Sequence, residues 1–219
     1  MSTIKKILLL LFITGWILPE AISARSMTDY NITSFGAKGN GKTINIAAIK
    51  KAIETCSVNG GGRVIVPKGV FMTGSIILKS NIHLYFEKGA ILKGITDLET
   101  YVSMSDFNTE DKYYMIRRHN WNKALIVGDN LQHVAITGQG IIDGNHVEDP
   151  NGEEKMRGQH TIFLSRTSGI TISGIKIIKA SNYAFMSYDI ENVVFSGLEM
   201  EEGWDGIHIR GGRNIQIRN

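Results

Sequence analysis

The stretch GITISGIKIIKASNYAFMSYDIENVVFSG, residues 169–197, holds one whole structural unit and the start of the next. Its first six residues, GITISG, return in altered form as NVVFSG (192–197). The same pattern stands at HVAITG (133–138) and NIQIRN (214–219), with starts 36, 23 and 22 residues apart. A second short strand follows each of the first three, at GIIDG (140–144), GIKIIKA (174–180) and GLEMEE (197–202). A third set, TIFLSR (161–166), AFMSYD (184–189) and GIHIRG (206–211), completes the unit. Roughly 22 residues with three short strands per repeat is the pattern of a coiled solenoid. A sandwich would join neighbouring strands by tight turns such as Asn-Gly. Here the like-for-like partners lie a whole repeat apart, which predicts parallel stacking. The expected fold is therefore all-β, a right-handed parallel β-helix. The long first interval holds an extra polar loop, NHVEDPNGEEKMRG (145–158), whose acidic run 148–154 reads as a solvated loop.

Working upstream, short strands continue at RVIVP (63–67), GSIILK (74–79), NIHLYF (81–86) and AILKG (90–94). Before them one helix is expected, from Thr43 to Ser57. Thr43 serves as its cap, Ile46, Ile49, Ile53 and Cys56 form its apolar stripe, and Gly60-Gly61-Gly62 stop it. The first coil of a solenoid exposes its apolar interior and an unpaired edge, and an amphipathic helix laid across that end covers both. Cys56 is the only cysteine, so no internal disulfide forms, and its place on the stripe marks it as buried and inert. Between 95 and 123 the repeats give way to a loop bearing Tyr101, Phe107, Tyr113, Tyr114 and Trp121. These rings are expected to pack on the coils.

The 219 residues suit one domain, and 24 glycines, 3 prolines and 42% hydrophobic residues describe a folded, turn-rich β protein. A net charge of +3 speaks against a nucleic-acid partner. At the N-terminus Lys5 and Lys6 precede the apolar run ILLLLFITGWIL (7–18), Pro19 and AISA (21–24). That order predicts a cleaved signal peptide over 1–24, too short to span a bilayer, and export of a chain starting near Arg25. No stable membrane insertion is expected after cleavage. His119, His133 and His146 lack ligand spacing, so no metal site is expected.

Residues 30–94, with the SFGAKGNGKT turn, the AAIKKAI helix and GGGRVIVPKGVF, resemble the opening segment of pectate-lyase-like β-helix enzymes. ALIVGDNLQHVAITGQGIIDGN (124–145) and the repeats after it look like glycoside hydrolase family 28, the polygalacturonase family. The resemblance implies inverting hydrolysis of pectic glycans, polygalacturonan or rhamnogalacturonan, by aspartates on consecutive coils without a cofactor. The family's first catalytic aspartate lies in an Asn-Thr-Asp-Gly motif. GWDG (203–206) matches it at Asp205 and Gly206 and departs from it at Gly203 and Trp204. The departure is similar to the rhamnogalacturonan-cleaving branch and bears on substrate more than on chemistry. The family's Asp-Asp pair, Gly-His-Gly and Arg-x-Lys would all fall beyond Asn219. The expectation is thus an N-terminal part, 25–219, of a longer β-helix glycosidase. It carries one carboxylate of the pair and is inactive alone, with an incomplete last coil and a monomeric full-length form.

Asp205 poses a parity problem. Alternation points Ile207 and Ile209 inward and His208 and Arg210 outward, which sends Asp205 inward too. An unpaired carboxylate there is expensive. A bend at Gly206 is expected to turn Asp205 to the surface. Arg210 is a candidate partner for a uronate carboxylate or an ordinary solvated arginine. His208 either contacts sugar and tunes Asp205 or is a passive surface residue. Trp204 either stacks on a pyranose face or plugs the coil's corner. The resemblance adds Asn182 and Tyr183, one coil earlier in a subsite segment, and Arg157 and His160, ahead of that coil. Two other classes remain open: a polysaccharide lyase, and a non-catalytic glycan-binding or tailspike-like module.

Overall fold

The computed structural model describes residues 27–107 and 122–219. The expected signal peptide and Tyr113, Tyr114, His119 and Trp121 lie outside them. The chain winds as a right-handed β-helix with three parallel ladders. The first ladder stacks Asp29–Asn31, Gly62–Val66, Ile82–Phe86, Gln132–Gly138 and Ser168–Ser173, then the second halves of two long strands, Phe185–Ser196 and Ile207–Arg218. The second stacks Asn40–Ile44, Gly69–Thr73, Ala90–Gly94, Ile141–Asp143, Lys176–Ile178 and Glu199–Glu201. The third stacks Ile76–Ile77, Lys123–Asp129, His160–Ser165 and the first halves of the same two long strands.

Register lines up like with like. Val64, Leu84, Ile136, Ile172 and Phe195 face one another along the first ladder. Phe71, Leu92, Ile142 and Ile177 do so along the second, and Ile76, Ile126, Ile162 and Phe185 along the third. All are at most 3% exposed and belong to one continuous core. The corner leading into the first ladder repeats as well: His133, Gly169, Asn192 and Asn214 all turn with φ between 53° and 69°. Asn214 Nδ2 donates to Asn192 Oδ1 at 2.7 Å, so a short amide ladder holds that corner.

The helix runs Ile46–Val58. Ile49, Ala52, Ile53 and Cys56 are buried in the core with Ile32 and Val64, covering the first coil as the stripe predicted. Burial pushes the Cys56 thiol up to about 11. Thr43 does not cap the helix: it belongs to the strand Asn40–Ile44, and its hydroxyl accepts from Asn40 Nδ2 at 3.1 Å. Asn45 takes the cap position instead. Its buried side chain ties the strand's flanks together, accepting from Lys38 N at 2.7 Å and donating to Thr43 O at 2.7 Å. At the other end Gly61, with φ 100°, donates to Cys56 O at 2.9 Å and closes the last turn. A Cβ there would meet Asn81 O at 2.5 Å, so the glycine is required.

The loop 145–158 leaves the coil between the second and third ladders; its acidic run is largely exposed, as expected, but it is not irregular. Glu148–Glu153 is a strand that folds back antiparallel on Arg157. The turn is made by Glu154 and Lys155, both at positive φ (55° and 60°), and Asp149 is buried.

Candidate active site

The third ladder buries both of its faces. Leu164 and Phe185 point into the core, while Phe163 and Met186 form a second apolar cluster on the outside with Ala124, Val127, Tyr183 and Tyr188. Val102, Met104 and Phe107 cover that cluster. Tyr101 sits in the main core, its hydroxyl donating to Ile95 O at 2.6 Å. Of the loop aromatics, then, Tyr101 and Phe107 pack on the coils as expected.

At the head of this ladder three rings stack over successive coils. His160 lies 5.2 Å from Tyr183 at an interplanar angle of 18°, and Tyr183 lies 4.6 Å from His208 at 19°. Asp205 stands one coil on from Tyr183: its carbonyl accepts from Ala184 N at 3.0 Å, and Gly206 O accepts from Phe185 N at 2.8 Å. Tyr183, two residues before the inward Phe185, has the same parity problem as Asp205 and has also left the inward row. The chain bends on either side of both positions, at 182 and 184 and at 204 and 206, and Asp205 is exposed. Gly206 makes its bend without a left-handed φ, and a Cβ there would meet only Met200 Sδ at 3.2 Å. The glycine eases this turn; the coil geometry imposes it.

Around Asp205 the polar side chains form two groups. Arg210 Nε donates to His208 Nε2 at 3.0 Å, and its Nη1 donates to the Tyr188 hydroxyl at 3.0 Å. The first bond needs the lone pair on Nε2, which puts the His208 ring proton on Nδ1. On the other side the Arg157 guanidinium lies over the Trp204 ring, 4.0 Å from its centroid. Glu154 takes Arg157 in a two-pronged pair at 2.9 and 3.2 Å, and Glu153 approaches it at 3.8 Å. Asn182 Nδ2 donates to Glu153 at 3.2 Å. Trp204 is 46% exposed and so does not plug the corner.

Tyr183 reports how close these charges are. Burial raises its pKa, the Glu153 and Asp205 carboxylates raise it further, and Arg157 and Arg210 pull it back. Burial likewise raises Tyr188, against the charge and hydrogen bond of Arg210, and the Glu153 carboxylate raises it a little further. The structure thus assembles Asp205, Trp204, His208, Arg210, Tyr183 and Arg157 around one patch. His160 and Asn182 are fully buried and stand behind it as supports rather than contact surfaces. Glu153 is the residue that the sequence reading missed. Among the described residues no group of three or more His, Cys, Asp or Glu side chains could hold a metal ion. No helix among them is long and apolar enough to cross a membrane.

The sequence profile of the rhamnogalacturonase A/epimerase, pectate-lyase-like family matches residues 30–219. The chain belongs to that family. An exo-poly-α-D-galacturonosidase of Dickeya chrysanthemi is 37% identical over 119 residues, covering 52% of this chain and 19% of the relative. Alginate lyase 7 of Azotobacter vinelandii is 28% identical over 192 residues, covering 81% and 20%. The crystal structure of a family 28 exopolygalacturonase from Yersinia enterocolitica superposes with a TM-score of 0.69 at 20% identity, over 88% of this chain and 43% of that one. The chain therefore spans about a fifth of the length of these curated relatives. In this family member the patch around Asp205 brings a carboxylate, two guanidiniums and an exposed aromatic ring together.

Proposed function

We propose that this protein is an exported glycoside hydrolase that cleaves a pectic polysaccharide with inversion, and that Asp205 is one carboxylate of its acid/base pair. The observation that carries this is the exposed Asp205 at the head of the third ladder, beside Arg210 and Trp204. Inverting hydrolysis needs a protonated acid at the leaving oxygen and a base holding water on the opposite face, ~6.5–9.5 Å apart. Coils stack ~4.8 Å apart, so a carboxylate on a neighbouring coil with some lateral offset spans the gap. Like charges held that close push their pKa values apart, which separates acid from base. The chain's own groups prepare the rest. The Tyr183–His208 stack fixes the floor, Arg210 presents a cation for a uronate carboxylate, and the open face of Trp204 offers a stacking surface for a pyranose.

The similarity to an alginate lyase supplies the second reading, elimination instead of hydrolysis. The test is to incubate the full-length protein with polygalacturonate and rhamnogalacturonan and to follow reducing ends and unsaturated products separately. New reducing ends without unsaturation support hydrolysis. Unsaturated products abolished by a chelator support the lyase, and binding without either product supports a non-catalytic module.

A further inference from the structure

The two guanidinium groups flanking Asp205 are not equivalent. Arg157 is paired with two carboxylates: Glu154 holds its Nε and Nη2, and Glu153 stands 3.8 Å from Nη1. One face of the guanidinium lies on Trp204, and the side chain is only 13% exposed. Counting formal charges, the Arg157 group carries one negative charge in excess. Arg210 has no carboxylate partner among the described residues. Its hydrogen bonds go to a histidine nitrogen that acts as acceptor and to a phenol that burial keeps protonated. Arg210 and the two groups it bonds carry one positive charge with guanidinium donors to spare, while Glu153 also acts on Tyr188 and Asp205 on the stacked Tyr183.

A sugar carboxylate therefore meets opposite environments at the two ends of the patch. Beside Arg210 it gains a charge-assisted hydrogen bond. Beside Arg157 it finds the fork already occupied and two like charges next to it. We propose that Glu153 and Glu154 mask Arg157, so that the position under Trp204 accepts an uncharged sugar and rejects a uronate, while the position at Arg210 selects a uronate. The site then favours a glycan in which a neutral residue neighbours an acidic one over a continuous polyuronate. Asn182, buried and bonded to Glu153, positions the mask. The inference rests on the pectic-glycan reading above and adds to it the two carboxylates that set specificity.

The test uses the full-length protein carrying Asp205→Asn, so that ligands persist, and calorimetric titration with two probes of equal length. One is a galacturonate homo-oligosaccharide, the other alternates galacturonate and rhamnose. The alternating probe is expected to bind at least tenfold tighter. Adding Glu153→Gln and Glu154→Gln together should narrow the ratio to within about threefold by improving the homo-oligosaccharide. Glu154→Gln alone, at a side chain 55% exposed and tolerant of the change, should move the ratio the same way by a smaller factor. A ratio unchanged by all of these substitutions, or a starting preference for the homo-oligosaccharide, overturns the masking inference and leaves the pectic reading standing. Failure of every variant to bind either probe overturns both.

Discussion

Two consecutive strands of one coil, His160–Ser165 and Ser168–Ser173, differ in a way that explains where the site lies. The first is buried at all six positions; in the second, Ile170 and Ile172 are buried while Thr171 between them is exposed. Ser168–Ser173 behaves as a half-buried strand should, one face on the core and one in water. His160–Ser165 is covered on its outer face by Val102, Met104 and Phe107. A strand locked on both faces makes a stiff support, and the stack of His160, Tyr183 and His208 is built on that ladder. Rigid elements hold reacting groups more accurately than loops do. The comparison thus separates a solvated wall from one covered on both faces, on which the proposed site stands.

The largest expected effect is at the proposed site on the doubly covered wall. Asp205→Asn in the full-length protein should lower turnover by ~10²–10⁴-fold while Tm hardly moves, because the side chain is exposed and lies outside the apolar core. Steady-state kinetics and a thermal melt decide it; activity within a few-fold of wild type reduces Asp205 to a turn residue. Next, the two walls should differ in stability. Phe163→Ala, on the outer face of the third ladder, should cost about 3–5 kcal/mol in denaturant unfolding. Thr171→Ala, on the outer face of the first, should stay within about 0.5 kcal/mol. Similar costs at both positions would erase the distinction.

A smaller effect is expected at the rim. Trp204→Ala should raise KM by roughly three- to tenfold with kcat nearly unchanged, the behaviour of a stacking surface that holds ground and transition states alike. An equal fall in kcat and kcat/KM would instead place Trp204 in the chemical step. The smallest belongs to the solvated wall. His83 bonds Thr137 Oγ1 at 2.6 Å on that face, and burial, then Arg63, lowers its pKa, with Asp29 opposing. The fold therefore prefers the neutral ring. Its contribution to stability is complete above the unfolded value near 6.5 and is lost as pH falls below that toward the folded pKa. His83→Gln should flatten the decline of Tm between pH 7 and 5, and a decline identical to that of wild type would show that His83 does not contribute to it.

The coils were legible because each inward residue is read locally: Ile170 and Ile172, or Val193 and Phe195, repeat at period two and recur one turn later. Asn40–Ile44 and Gly69–Thr73 escaped the same reading. The first is mostly exposed and polar, and it pairs only because the coil carries it past its partner. Asp205 could be singled out before its surroundings were known only through the family resemblance, which Asp205 and Gly206 match and Gly203 and Trp204 do not.

Its charged neighbours could not be found that way. The turn that brings Glu153 back onto Arg157 places Glu154 and Lys155 at positive φ, where Asn-Gly is the usual signal, so the hairpin read as a polar loop. The burial of Phe163 and Met186 depends on a covering segment some sixty to eighty residues upstream. Sequence alone determined the winding and the capping helix, because periodicity and capping act between near neighbours. Only the tertiary structure decided which arginine near Asp205 is already neutralised and which is available. That depends on the meeting of Glu153 with Asn182 and of Arg157 with Trp204, across stretches of chain that carry no local sign of each other.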